Sequence, residues 1–172
     1  GVIANPASGR DIRRLVAHAS VIGADEKVRI VRRLLLALDA TGLPRVLYLP
    51  DTSRLVLRAA RDLRLRLTLE ALHGPFHGTA QDTTAAARAM ARAGVACCLT
   101  LGGDGTNRAF TLGATEVPLI PLSTGTNNVF PEWRESTIAG LAAAAIALGA
   151  VDPARVAPRA KIVQVEHDHN PT

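Results

Sequence analysis

A mostly parallel α/β domain of Rossmann-like design, with helices on both faces of its sheet, is what this sequence predicts. Three observations lead there. Short apolar segments alternate along the chain with helical stretches of roughly 10–15 residues, the pattern of βαβ units. Residues 95–101 form a near-continuous apolar run of the kind found where a sheet is covered on both faces. Apolar residues make up 48% of the chain and aromatics only 3%, so the core must be built from Ala, Val, Leu and Ile.

Taken in order, residues 2–4 read as a strand running into a loop, and residues 11–18 as a short helix. A firmer helix covers 25–40. There Val28, Val31, Leu35 and Leu38 share one face, and Lys27, Arg29, Arg32 and Arg33 fall elsewhere. Thr41-Gly42-Leu43-Pro44 stops that helix with a Gly-then-Pro signal. Residues 45–49 are the next strand. Ser53 is expected to cap a helix reaching about residue 63. A strand covers 65–72, and Asp82 is expected to cap an Ala-rich helix that stops at Gly94. The strand over 95–101, a loop and helix, a strand over 117–122 and a helix over 135–148 complete the domain. The expected division is residues 1–150 for an α/β nucleotide-binding domain and 151–172 for a linker, with prolines at 153 and 158, and a strand over 160–166. The clipped appearance of the first strand and the unpartnered last one predict a piece of a longer protein.

The 172 residues carry a net charge of +5, and only Lys27 and Lys161 among the 20 basic residues are lysine. Such an Arg excess serves a nucleic acid, a membrane surface or an anionic small molecule. Tyr48, Trp133 and three Phe are too few for a base-stacking surface, so a nucleic-acid partner is not expected. No apolar run approaches the roughly 18 residues of a membrane span. Cys97 and Cys98 are adjacent inside an apolar run, which is no disulfide framework and fits a cytoplasmic protein.

Ligands of parallel α/β sheets bind beyond the carboxyl ends of the strands, so the loops there carry the chemistry. The first is Asn5-Pro6-Ala7-Ser8-Gly9-Arg10, which offers backbone N–H groups and a hydroxyl ahead of a helix: an anion cradle or a capped turn. The second, Gly102-Gly103-Asp104-Gly105-Thr106-Asn107, follows a buried strand and opens a helix. Its glycines let backbone approach a ligand, and the helix start presents unpaired N–H groups to a phosphate. It matches neither G-x-x-x-x-G-K-[ST] nor G-x-G-x-x-G. A carboxylate beside a phosphate cradle is repelled unless it serves a purpose. Asp104 is therefore the candidate catalytic residue, to help hold Mg²⁺ or to accept the proton of an attacking hydroxyl; the plain alternative is a helix cap. The third loop, Ser123-Thr124-Gly125-Thr126-Asn127-Asn128-Val129-Phe130-Pro131, has neutral hydroxyls and amides suited to phosphate, ribose or adenine contacts and belongs at the same sheet edge.

Weaker candidates remain. His77 lies in the loop over 74–83, where it either touches a ligand or is simply solvated. His18 and His73 read as structural. His167-Asp168-His169 has the look of a metal triplet but falls in a tail. Arg54, Arg58, Arg61 and Arg64 are spaced to form a basic stripe on one helix.

The three loops together carry a family resemblance. Gly102-Gly103-Asp104-Gly105-Thr106 resembles the signature of the superfamily of NAD kinases, diacylglycerol and sphingosine kinases and 6-phosphofructokinases. Asn5-Pro6-Ala7-Ser8-Gly9 resembles its Asn-Pro-x-Ser-Gly opening. Residues 124–131 look most like the ATP-NAD kinase branch that includes the acetoin-catabolism X proteins; Asn128 stands where lipid kinases carry Asp. The Asn-Glu pair with which typical NAD kinases grip NAD has no counterpart here. The resemblance implies the N-terminal domain of a two-domain kinase whose C-terminal all-β domain is largely missing from these residues, and homo-oligomers of the full-length form. It implies that Gly102, Gly103, Gly105, Thr106 and Asn107 hold the phosphates of ATP with Mg²⁺. Asn5, Ser8, Gly9, Thr124, Gly125, Thr126, Asn127 and Asn128 would surround the nucleotide. Asp104 would bind or activate the 2′-hydroxyl of NAD, giving NADP. A lipid or small-alcohol kinase and a non-catalytic nucleotide-binding regulator are the competing readings, and polyphosphate is an alternative donor.

Overall fold

The structure is a computed structural model and describes residues 1–9, 22–125 and 128–163. Among the described residues five strands form one sheet: β1 (Val2–Ala4), β2 (Arg45–Tyr48), β3 (Thr68–Ala71), β4 (Cys98–Gly102) and β5 (Leu119–Ser123). The order across the sheet is β3-β2-β1-β4-β5, and every pairing is parallel. The helices are α1 (Ala24–Ala40), α2 (Leu55–Ala60), α3 (Ala80–Arg92), α4 (Asp104–Thr111), α5 (Ser136–Ala147) and α6 (Pro153–Val156). The predicted helix over 11–18 lies outside the described residues.

Alternation along the short strands sends side chains to two cores. Val2 and Ala4 face one side, where α1, α2 and α5 bury Val31, Leu34, Leu35, Leu55 and Ala143. Ile3 faces the other, packed with Ala86, Ala87 and Met90 of α3 and Phe110 of α4. All five residues of β4 are buried, as a strand covered on both faces requires. Gly140 sets the spacing of α5 on α1, since a Cβ there would lie 2.9 Å from that of Ala37. The Gly-then-Pro stop of α1 forms as expected, with Gly42 at φ 79°.

Several boundaries differ from the sequence expectation, each for a local reason. The cap position of α2 falls at Arg54, not Ser53, and the side chain that meets the helix start is that of Asp51. The Asp51 carboxylate accepts the N–H of Ser53 and of Leu55, both at 2.9 Å. Left-handed backbone at Arg54 (φ 52°) and Asp62 (φ 63°) then confines α2 to six residues. Only Arg58 of the proposed basic stripe sits on that helix, and its guanidinium pairs with Asp25 at 2.6 Å. Strand β3 begins three residues late because the N–H groups of Arg66 and Leu67 go to Asp39 Oδ1 (2.6 and 2.9 Å), not to the sheet. Helix α3 starts from Thr79. Asp82, expected as its cap, sits three residues in and reaches back to the N–H of Thr79 and His77, both at 2.8 Å. Residues 153–156 of the expected linker form a helical turn capped by Asp152. Residues 160–163 of the expected last strand are exposed and join no sheet; the remainder of that segment lies outside the described residues.

These carboxylates make stability pH-dependent. The N–H of Leu67, against some burial, and then the N–H and guanidinium of Arg66 hold Asp39 below its ordinary 3.8. At Asp82 burial pushes upward, but the N–H groups of Thr79, His77 and Gly78 outweigh it and the pKa is lowered. A depressed folded pKa stabilises above the unfolded value and loses that contribution as pH falls through the folded one. Asp51 works the other way: burial raises its pKa despite the N–H groups it accepts, so its share is lost as pH rises. Glu116, hydrogen-bonded to Arg159, and Glu135, held by the N–H groups of Thr137 and Ile138, are lowered as well, so four lowered carboxylates against one raised predict a melting temperature that declines as pH is taken below about 4. Asp39→Asn should flatten that decline in a thermal-melt series.

Candidate active site

The strand order places one crevice above all others. From β1 the chain runs outward to β2 and β3, then returns to β4 and β5 on the opposite side, so β1 and β4 flank the switch point where ligands of such sheets enter. Strands β1, β4 and β5 are neighbours, with Ala4 opposite Leu101 and Gly102 opposite Ser123. The three loops singled out in the sequence thus leave the sheet side by side. Asn5 N–H donates to the Leu101 carbonyl at 2.8 Å, and Thr124 N–H to that of Gly102 at 3.1 Å.

Side chains then tie the loops to each other. Asn5 Nδ2 donates to Thr106 Oγ1 at 2.9 Å, joining the first loop to α4. Its Oδ1 accepts Ala7 N–H at 2.8 Å. Ser8 Oγ and Thr124 Oγ1 lie 2.8 Å apart and share a hydrogen bond between the first and third loops. Gly9, at φ 79°, passes so close to the third loop that a Cβ would sit 3.0 Å from the Thr124 carbonyl oxygen. Asn128 Nδ2 donates to Ser123 Oγ at 2.8 Å, and its Oδ1 covers the glycines: a Cβ at Gly103 would approach it to 2.7 Å, one at Gly125 to 2.9 Å. Thr126 and Asn127 lie outside the described residues, as do His18 and His167-Asp168-His169.

Asp104 occupies the first position of α4, directly after the Gly103 cap. Its carboxylate accepts the N–H of Phe130 at 2.8 Å and of Val129 at 3.0 Å, so it latches the far end of the third loop over the helix start. The carboxylate therefore faces the crevice already engaged with backbone donors. Behind it, the N–H groups of Asp104 and Gly105 are in the first turn and have no intrahelical acceptor. Gly105 is exposed and open space surrounds the place of its missing Cβ. A phosphate approaching there meets main-chain N–H groups and the positive end of the helix.

Two residues expected to touch a ligand are used internally. Thr106 is 6% exposed, with Oγ1 occupied by Asn5. Asn107 is 2% exposed; it accepts from Thr100 Oγ1 at 2.6 Å and donates to the Gly103 carbonyl at 2.9 Å, fastening α4 to β4. Asn107→Ala strands the buried Thr100 hydroxyl. Chemical denaturation should show a stability loss of about 1–3 kcal/mol, larger than for an exposed Asn.

Lys27, read from the sequence as lying off the apolar face, is 1% exposed. Its Nζ donates to the carbonyls of Asn5, Pro6 and Ser8 at 3.1, 3.0 and 2.7 Å. Helical periodicity cannot reveal this, because the acceptors are main-chain atoms about twenty residues away. His77 is exposed, consistent with a solvated loop residue. A separate cleft of about 360 Å³ beyond β2 and β3 is lined instead by Asp51, His73 and Phe76, among others. Cys97 and Cys98 are free and buried, and burial pushes their thiols to about 11 and about 12, so neither is a nucleophile at neutral pH. Among the described residues no three His, Cys, Asp or Glu side chains gather as a metal site, and no helix is long and apolar enough to cross a membrane.

Sheet order and the glycine-rich strand-to-helix turn at its switch point define a Rossmann-like α/β domain. The chain belongs to the ATP-NAD kinase family, whose N-terminal domain matches residues 1–151. It is similar to acetoin catabolism protein X of Cupriavidus necator, 46% identical over 162 residues that cover 90% of this chain and 45% of that protein. The chain thus spans less than half the length of this curated relative. No solved structure matches it significantly.

Proposed function

We propose that this domain binds the phosphates of ATP at the Gly102–Thr106 turn and, within the full-length polypeptide, transfers a phosphoryl group to an alcohol, namely the 2′-hydroxyl of NAD, giving NADP. The observation that carries the reading is a carboxylate, Asp104, set at the opening of a helix whose first N–H groups face the switch-point crevice. Phosphoryl transfer needs positioning and charge neutralisation more than covalent help. The main chain at Asp104 and Gly105 supplies donors for the phosphates, and Gly103 and Gly125 keep the approach narrow under Asn128. Mg²⁺ usually takes only one or two carboxylates and completes its shell with phosphate oxygens and water, so Asp104 with the nucleotide fits it. Bound there, the ion would neutralise phosphate charge. Asp104 is also the residue in reach to accept the acceptor hydroxyl's proton once the N–H groups of Val129 and Phe130 release it.

A second reading has its own support. The same latch suits a nucleotide-binding regulator, in which Asp104 only fastens the third loop. One assay separates the readings: full-length polypeptide with ATP, Mg²⁺ and NAD. Formation of NADP supports the NAD kinase reading. ATP consumption with diacylglycerol or another alcohol, without NADP, replaces the acceptor. Nucleotide binding without turnover favours the regulator. Repeating the assay with polyphosphate in place of ATP identifies the donor.

A further inference from the structure

Lysine is almost never fully buried without a dedicated partner set. Lys27 is 1% exposed, and the three carbonyls it meets, those of Asn5, Pro6 and Ser8, fall within four consecutive residues. The ammonium thus gathers the peptide oxygens of the first loop to one point beneath the crevice. From that loop the two other loops are held. Asn5 Nδ2 reaches Thr106 on α4, and Ser8 Oγ reaches Thr124 after β5. The Ser8 hydroxyl also lies 3.0 Å from the Asn5 carbonyl, one of the three that Lys27 holds.

We propose that Lys27 is the positioning residue of this crevice: by fixing the carbonyls of Asn5, Pro6 and Ser8, it sets the place of Thr106 and Thr124, and through them the geometry in which the Gly102–Thr106 turn and the third loop receive a polyphosphate. The inference rests on the reading of the crevice as a nucleotide site. Lys27 lies beneath the loops and acts on the ligand only through them. An apolar side chain of nearly equal length fills its volume but takes the Lys27 donor from the Pro6 and Ser8 carbonyls and leaves that of Asn5 with Ser8 alone. The loop must then turn them toward water, which breaks the placement of Asn5 and Ser8. Misplacement of about 1 Å in a phosphoryl-transfer site is enough to weaken function by roughly 10²-fold.

The test uses the full-length polypeptide and MgATP. Lys27→Met should bind MgATP about 10- to 100-fold more weakly than wild type, and the amide NMR signals of Ser8, Thr106 and Thr124 should move together. Leu35→Ala, a packing loss on the same helix and equally buried, should lower the melting temperature while leaving affinity and those signals in place. Lys27→Arg, which keeps a charged donor, should recover part of the affinity. A folded Lys27→Met protein with wild-type affinity overturns the proposal, and so does Leu35→Ala weakening MgATP as much. If Lys27→Met does not fold, selectively labelled lysine in the wild type decides: the Lys27 side-chain signal should shift on MgATP addition, and an unmoved signal overturns the proposal. If wild type binds no MgATP while Lys27→Met still displaces the Thr106 and Thr124 signals, the positioning role stands and the nucleotide reading falls.

Discussion

Asp104→Asn is expected to lower the turnover of the full-length polypeptide by about 10²–10⁴-fold, the usual contribution of a positioned base, while the domain keeps its fold. The substitution is informative because Asp104 has two possible jobs. As a latch it accepts the N–H of Val129 and Phe130, and an amide oxygen still accepts one of them, at 2.8 Å in the case of Phe130. As a base it must take a proton, which an amide cannot do. Loss of the base should therefore appear in kcat with little change in MgATP affinity, and loss of the latch in affinity first. Asp104→Ala removes both, and its affinity should fall below that of the Asn variant. Wild-type kcat in Asp104→Asn would remove Asp104 from the chemistry and leave it a purely architectural residue.

Gly102→Ala should damage both stability and binding, and Gly105→Ala should separate the two. Gly102 is fully buried at the end of β4, and a Cβ there would run into the Thr106 side chain, lying 2.5 Å from its Cβ. Thr106 cannot yield easily: a β-branched residue in a helix has little χ1 freedom, and Asn5 holds its hydroxyl. Overpacking of this kind costs about 1–3 kcal/mol, and the displaced Thr106 carries the Asn5 contact with it. We expect a matching drop in the urea midpoint and MgATP binding weakened about tenfold or more. Gly105→Ala meets open space inside a helix and should be neutral or stabilising by up to about 1 kcal/mol. If a ligand approaches the main chain at that spot, calorimetry should still show weakened MgATP binding for Gly105→Ala. Unchanged binding would move the phosphates away from Gly105.

The parallel sheet was legible because its determinants are local. The apolar run ending in β4 and the repeated change of period needed no tertiary information, and neither did the stop at Gly42. The three loops were legible for the same reason, since glycine, hydroxyl and amide residues cluster after strands. What escaped was every feature that depends on a partner distant in the chain. Lys27 reads as a surface residue until its carbonyl acceptors are in place. Asp51, not Ser53, meets the start of α2 only because the N–H groups of Ser53 and Leu55 turn back on it, and Asp39 shortens β3 from 27 residues away. Thr106 and Asn107 were expected to face a ligand, and packing instead turned both inward. Nothing local distinguishes a threonine that will bind phosphate from one that will hold Asn5.

That inward turn has a consequence for how the crevice can change over time. The hydroxyls of Ser8 and Thr124 are occupied with each other, that of Thr106 with Asn5, and the Asn107 amide with Thr100 and the Gly103 carbonyl, so a phosphate would be read mainly by peptide groups, which no substitution can exchange. Selectivity among anions would then be set by shape rather than by side-chain identity. Altering it would take changes in what surrounds the turn, such as Asn128 above the glycines or the exposed Val129 beside Asp104. A domain that binds phosphate in this proposed way would hold its grip unchanged while the identity of the acceptor drifts.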